Sequence, residues 1–249
     1  MMIHPKLQTA FKQGNALKII SGLTNFNADR VAATVKAADR GGATFVDIAA
    51  DPALVRMAKQ FTHLPVCVSA IDPEAFVRAV DAGADLIEIG NYDAFYSQGR
   101  QFDAVEVLEL TRQTRLLLPT ITLSVTVPHT LRLDQQVQLA EALVKAGADI
   151  LQTEGGTSSQ PVHAGTLGLI EKASPTLAAT YEISRAVDVP VLCASGLSNV
   201  TAPMAIAAGA SGIGVGSAIN KLNSEVAMIA AVQSLVEALS SVSRAYTRL

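Results

Sequence analysis

Residues 189–219, VPVLCASGLSNVTAPMAIAAGASGIGVGSAI, hold the groups best suited to chemistry. Ser195-Gly196 and Gly214-Val215-Gly216-Ser217 each fall where an apolar run ends and a helical pattern follows. Glycines at such points leave backbone N–H groups uncrowded, and a helix start adds partial positive charge, so both segments suit a phosphate. Ser195, Gly196, Gly214, Gly216 and Ser217 are the candidate phosphate ligands. Candidate proton-moving groups lie elsewhere: Asp47, Glu88 and Glu154 as acids, His129 directly after Pro128, and Lys18 as an amine. Asn91, Gly155 and Gly156 also end apolar runs and are candidate ligand contacts. Each has a plainer reading, since an inward acid can brace a loop and a glycine can serve close packing.

A repeat shows which elements must position these groups. Gly-Ala-x precedes an apolar run at Gly42, Gly83, Gly147 and Gly209, each time closing an Ala-rich helical stretch and opening a strand. Glycine suits a helix end because it accepts the left-handed backbone there. Four further strands, announced by proline or a polar turn, interleave with these: ALKIIS, LPVCVS, LPTITLSVTV and VPVLCAS. Eight alternating strand and helix units over 249 residues predict one α/β domain spanning residues 1–249, a single (β/α)8 TIM barrel. Residues 5–13, with Leu7 and Phe11 four apart, predict an amphipathic N-terminal helix plugging the bottom. The connections leaving strands are long and polar, at residues 91–102, 128–134 and 154–176, so the functional face is the C-terminal one.

Alternation along the strands sorts the side chains. With Val46, Ile48, Ile87, Ile89, Leu123, Val125, Leu151, Ile213 and Val215 facing the helices, the barrel interior receives Asp47, Cys67, Ser69, Glu88, Ser124, Thr126, Gln152, Glu154, Cys193 and Ser195. Carboxylates there need a partner or a task, and Lys18 is the natural partner for Asp47 and Glu88. Its direction is open: matching Ser21-Gly22 to Ser195-Gly196 turns Lys18 outward. Tyr92, Phe95 and Tyr96 either stack on a ring ligand or pack the lid.

Composition excludes several classes. Charged residues are 16% and hydrophobic ones 49%, with net charge −3 and no Lys/Arg run, so neither nucleic acid nor an anionic membrane is an expected partner. No apolar run is long enough for a membrane span, and residues 1–14 lack the pattern of a signal or transit peptide. Two cysteines make no secreted framework, which predicts a reducing compartment. His4, His63, His129 and His163 show no metal-ligand spacing, so no metal is expected. The Ala/Val-rich last helix, residues 223–240, is a candidate homo-oligomer contact.

The segments LKIISGLTNF, GGATFVDIAADP, LPVCVSA, IEIGNYDAFY, LSVTVPHTL, LQTEGGTSS and CASGLSNVTAPMAIAAGASGIGVGSAINKL resemble, over nearly the whole chain, the hypothetical chloroplast reading frame twenty-three family of plastid genomes and cyanobacteria. That resemblance implies a cyanobacterial cytoplasm or a plastid stroma, and no particular activity. A more local similarity is to phosphoribosylanthranilate isomerase, in the pattern Ile20-Ser21-Gly22 followed by Thr24-Asn25. Ser21 stands where that enzyme has its cysteine base, and is a candidate ligand contact. The Gly-Ala-Asp phrases and the Gly-x-Gly-Ser turn are also similar to those of flavin-dependent barrels and the thiazole-phosphate synthase group. Three functions are therefore weighed: a lyase, aldolase or isomerase of a small phosphorylated metabolite, an FMN-binding oxidoreductase, and a non-catalytic ligand-sensing or scaffold barrel.

Overall fold

A computed structural model describes residues 3–156 and 159–246, without the side chains of 242–246. Thr157 and Ser158 of the LQTEGGTSS segment lie outside the described residues. The strands are β1 (Ala16–Ile20), β2 (Phe45–Ala49), β3 (Val66–Ala70), β4 (Leu86–Ile89), β5 (Thr122–Thr126), β6 (Ile150–Gln152), β7 (Val191–Ala194) and β8 (Gly212–Val215). All pair in parallel in chain order, and β8 returns to β1, so the barrel is closed. The helices are α1 (Pro5–Lys12), α2 (Ala28–Gly41), α3 (Pro52–Phe61), α4 (Pro73–Asp81), α5 (Asp93–Tyr96), α6 (Ala104–Leu117), α7 (Leu133–Lys145), α8 (Gly165–Ala186), α9 (Ala202–Ala207), α10 (Ser217–Asn220) and α11 (Glu225–Tyr246). The predicted barrel is thus the observed one.

Local chemistry explains the punctuation. Gly42, Gly83, Gly147 and Gly209 all have positive φ, between 84° and 107°, directly before β2, β4, β6 and β8. Asp51 accepts hydrogen bonds from the N–H groups of Ala53 and Leu54, and Asp72 from that of Glu74. Each acid is followed by proline at the first helical position, which fixes the starts of α3 and α4. The plug expected of the N-terminal helix is also present. Leu7 and Phe11 of α1 pack into a buried cluster with Ala16, Phe45, Cys67, Leu86, Ile150 and Leu192, all from the lower ends of strands.

Strand parity agrees with expectation on β2, β3, β4, β5, β6 and β8, fails on β7, and settles the direction left open on β1. Ile87, Leu123, Leu151 and Val215 belong to the outer core under the helices, whereas Leu86, Ile150 and Leu192 fill the interior. Cys193, expected inside, instead faces α8, with its Sγ 3.6 Å from Thr176 Oγ1. The cause is Ser195. Its φ of 73° breaks the alternation, so counting back from the Ser-Gly turn puts every β7 residue on the wrong side. The same false anchor turned Lys18 outward, but Lys18 points into the barrel and is fully buried. The last helix also serves the fold. Met228, Val232, Leu235 and Leu239 of α11 are buried within the chain, and Val232 meets Gly41 of α2 so closely that a Cβ at 41 would come within 2.5 Å of it.

Candidate active site

Above the plug, the barrel interior turns polar. Lys18 Nζ lies 2.6 Å from Glu88 Oε2, both side chains fully buried. Ser124 Oγ donates to the same oxygen at 2.8 Å, and Ser69 Oγ donates to Asp47 Oδ1 at 2.6 Å. Burial would lower the Lys18 pKa, but the charges of Glu88 and Asp47 outweigh it and raise it, so this amine is a firmly held ammonium ion. Asp47 is raised to about 7, by burial first and by Glu88, against the pull of Lys18. One amine thus neutralises Glu88 while Asp47 holds a proton through mildly acidic pH.

This has a measurable consequence. A carboxyl whose pKa is raised in the fold stabilises it below the ordinary value of 3.8, and that stability is lost as pH rises through about 7. Unfolding free energy in urea should therefore fall across this window, and Asp47→Asn should flatten the fall. An unchanged slope in the variant would show that Asp47 is ionised throughout.

Two amides roof the ion pair. Gly90 and Asn91 both have positive φ, 134° and 64°. A Cβ at Gly90 would come 2.3 Å from Thr126 Cβ, so only glycine lets this turn press on β5 and fold Asn91 back over the ions. Asn91 Nδ2 then donates to Ser69 Oγ and Glu88 Oε1, each at 3.1 Å. Gln152 Nε2 donates to Glu88 Oε1 at 2.9 Å, Thr126 Oγ1 at 3.2 Å and Asn91 Oδ1 at 3.3 Å. Lys18, Asp47 and Glu88 lie beneath this roof and do not line the cavity above it.

That cavity, about 400 Å³, opens at the C-terminal ends of the strands. It is lined by Ser195-Gly196-Leu197 and Gly214–Ser217, with Lys172 from α8 and Lys221 after α10, and by the polar side chains of Asn91, Asp93, Gln152 and Glu154. All five candidate phosphate residues are there. The expectation that both glycine turns open helices holds only in part. Gly216 caps α10, a single turn, while six residues separate Ser195 from α9. The positive character of these turns comes from backbone donors and the two lysines more than from helix dipoles. Gly216 is not left-handed; a Cβ there would stand 3.3 Å from the Ile20 carbonyl oxygen, so the glycine keeps space. Gly156 and Gly196 let two loops touch, because a Cβ at 156 would come 2.5 Å from Gly196 Cα. Gly155 and Gly156 do not line the cavity, and neither does Ser21, whose Oγ accepts from Asn25 Nδ2 at 3.0 Å.

Glu154 is the most deeply buried acid lining the cavity. Its Oε1 accepts from Tyr96 Oη, from the His129 backbone N–H at 3.2 Å, and lies 3.2 Å from His129 Nδ1. Its Oε2 is buried with no hydrogen-bond partner among the described residues. Burial raises the Glu154 pKa, and the His129 hydrogen bond opposes it. His129 is lowered by burial but raised more by Glu154 and Asp93, so the pair holds a proton between two groups that both titrate above their ordinary range. Asp93 completes the mouth: its Oδ2 accepts from Ser195 Oγ at 2.7 Å and its Oδ1 lies 3.9 Å from His129 Nδ1. Asp93, His129 and Glu154 offer ligand atoms within 4.8 Å of one another, a set that could hold a metal ion and that spacing along the sequence did not show. Sequence reading also missed Lys172 and Lys221; the one signal was their place beside loops already chosen. Tyr92 packs on Phe102 with ring centroids 4.3 Å apart, so it builds the lid, whereas Tyr96 orders Glu154.

A second cavity, about 510 Å³, lies at the other end beside α1, lined by Phe11, Lys12 and Asp188. In this fold that end serves stability, and the chemistry belongs to the strand C-termini.

Comparison with known proteins decides the family. A family model described as "Protein of unknown function (DUF561)" matches residues 2–245. The chain is 47% identical to the "Uncharacterized protein ycf23" of Cyanophora paradoxa over 90% of its own length and 92% of that protein, and 40% identical to that of Pyropia yezoensis over 92% and 84%. The chain belongs to the ycf23 family. The ycf23 relatives are algal, in line with the plastid or cyanobacterial origin implied by the sequence resemblance, which places the family in a plastid stroma or a cyanobacterial cytoplasm. No helix among the described residues is long and apolar enough to cross a membrane. Among solved structures, this ycf23 chain is similar to (S)-3-O-geranylgeranylglyceryl phosphate synthase from Thermoplasma acidophilum in complex with sn-glycerol-1-phosphate, with TM-score 0.63 and 15% identity over 97% of this chain and 100% of that one. It is also similar to N-(5'-phosphoribosyl)anthranilate isomerase from Pyrococcus furiosus, with TM-score 0.57 and 13% identity over 92% and 100%. At these identities the likeness is one of fold.

Proposed function

We propose that this ycf23 protein binds a small phosphorylated metabolite at the barrel mouth and moves a proton on it, as an isomerase or lyase. The observation that carries this is a cavity that brings both kinds of group together. Backbone N–H groups at Gly196, Gly216 and Ser217 and the amines of Lys172 and Lys221 line it with Glu154, whose Oε2 is buried and unpartnered among the described residues. The donors and amines suit an anion, and the carboxylate held by Tyr96 and His129 suits a proton acceptor. The barrels it resembles include enzymes of phosphorylated metabolites, among them one in complex with sn-glycerol-1-phosphate. Within this reading His129 orients Glu154 and shares its proton, and Ser195 with Asp93 ties the phosphate turn to the acid. Lys18, Asp47 and Glu88 act beneath the site: they fix Asn91 and Gln152 and do not touch the ligand. A Schiff-base aldolase working through Lys18 is the less supported form, since a sealed, protonated amine is no nucleophile. The test is solvent exchange. Incubated in D2O with a panel of triose to pentose phosphates, the protein should place deuterium on at least one of them, read by proton NMR. A panel that neither exchanges nor binds would refute the reading.

A further inference from the structure

The orientation of one buried amide says what the phosphate carries. Gln152 is 1% exposed and its Nε2 points at Glu88 Oε1, 2.9 Å away. The opposite flip would set an amide oxygen against a carboxylate oxygen, so the ion pair below fixes the orientation. Asn91 is fixed likewise, donating downward and accepting from Gln152 through Oδ1. Both side-chain amide groups of this roof therefore donate to Glu88 and its neighbours Ser69 and Thr126 or to each other, and Gln152 Oε1 is turned away from them. It is buried with no hydrogen-bond partner. Gln152 lines the mouth cavity beside Gly214, where an added Cβ would stand 3.0 Å from Ala194 Cβ, 3.1 Å from Ile20 Cδ1 and 3.2 Å from Oε1. Only glycine at 214 lets β8 pack this closely without crowding the acceptor. A buried carbonyl without a donor is costly, so a site that keeps one ready is completed by a donor from the ligand.

From this we infer that the ligand is a phosphorylated short polyol or sugar, one of whose hydroxyl groups donates to Gln152 Oε1. The inference rests on the phosphate reading of the same cavity. Gly214 lies two residues before Gly216, about 6.6 Å along the strand, a span that suits a chain of two or three carbons between phosphate and hydroxyl. Glu154, whose Oε2 is the second buried acceptor without a partner here, lines the same cavity. A phosphate ester with an unsubstituted alkyl chain leaves Gln152 unpaired and is discriminated against, just as sites built around a substrate hydroxyl reject analogues lacking it.

The experiment uses the intact wild-type protein and calorimetric titration with three probes: inorganic phosphate, n-propyl phosphate and the glycerol phosphates. Glycerol 1- or 3-phosphate should bind about 10- to 100-fold more tightly than propyl phosphate, the loss expected for one unsatisfied buried acceptor. In Gln152→Leu that ratio should fall to near one while inorganic phosphate still binds. The wild-type comparison needs no variant and stands even if Gln152→Leu does not fold. Equal binding of propyl and glycerol phosphates, with inorganic phosphate also bound, would overturn the hydroxyl inference and leave the phosphate reading standing. If neither inorganic phosphate nor any ester binds, the phosphate reading fails and takes this inference with it.

Discussion

Replacing Lys18 by methionine is expected to cost about 3–5 kcal/mol of stability, the price of breaking a fully buried ion pair by removing one partner. Methionine fills much of the same volume, so the loss is electrostatic in origin. It strands Glu88, whose Oε2 meets Lys18 Nζ at 2.6 Å, with Asp47 close by in the same buried interior. A second change, Glu88→Gln, should recover much of the loss in the Lys18→Met background. The glutamine can still accept from Asn91 and Gln152 at one end and meet Ser124 at the other. Urea unfolding of wild type, single and double variants at pH 7 measures this directly. A Lys18→Met protein within 1 kcal/mol of wild type, well under the range for buried pairs, would mean that water reaches the barrel interior. The roof of Asn91 and Gln152 would then not be the seal described here.

Glu154→Gln is expected to lower solvent exchange into the substrate by about 10²- to 10⁴-fold, the range for losing a positioned acid–base group. Inorganic phosphate should bind nearly as before, because the change leaves the glycine turns, Lys172 and Lys221 in place. Glutamine keeps the shape and can still accept from Tyr96 and the His129 backbone, so packing at the mouth is preserved. Loss of exchange with retained anion binding separates a proton-moving role from a structural one. If exchange survives at wild-type rate, Glu154 is a brace for the loop that carries His129.

The architecture was legible because it is written in residues with one physical use. Gly42, Gly83, Gly147 and Gly209 sit at left-handed positions that end helices, and nothing but a strand can follow in so short a loop. Asp51-Pro52 and Asp72-Pro73 are equally plain, since cap and proline act within three residues. The inward acids were legible where alternation runs unbroken, as at Asp47 and Glu88. Legibility ended where the backbone leaves the strand by an unusual angle. Ser195, a left-handed non-glycine, reversed the reading of β7 and obscured Lys18. The mouth itself could be read only in fragments. Asp93, His129 and Glu154 come from the connections after three different strands, Lys172 from within α8 and Lys221 from the end of α10, so their meeting is set by barrel closure and by no local spacing. Sequence placed Ser21, Gly155 and Gly156 at strand ends correctly. Their tasks, a hydrogen-bonded turn and close loop packing, show only in three dimensions.

In the proposed function, backbone donors at the ends of β7 and β8 receive a phosphate. A titration of ¹⁵N-labelled protein with inorganic phosphate, followed amide by amide, reads this out. Saturable shifts centred on Gly196, Gly216 and Ser217, reduced when Lys172 and Lys221 are both replaced by methionine, are the expected result. If those three amides stay still at saturating phosphate, or if the shifts gather elsewhere on the surface, the glycines serve packing and the phosphate account is wrong.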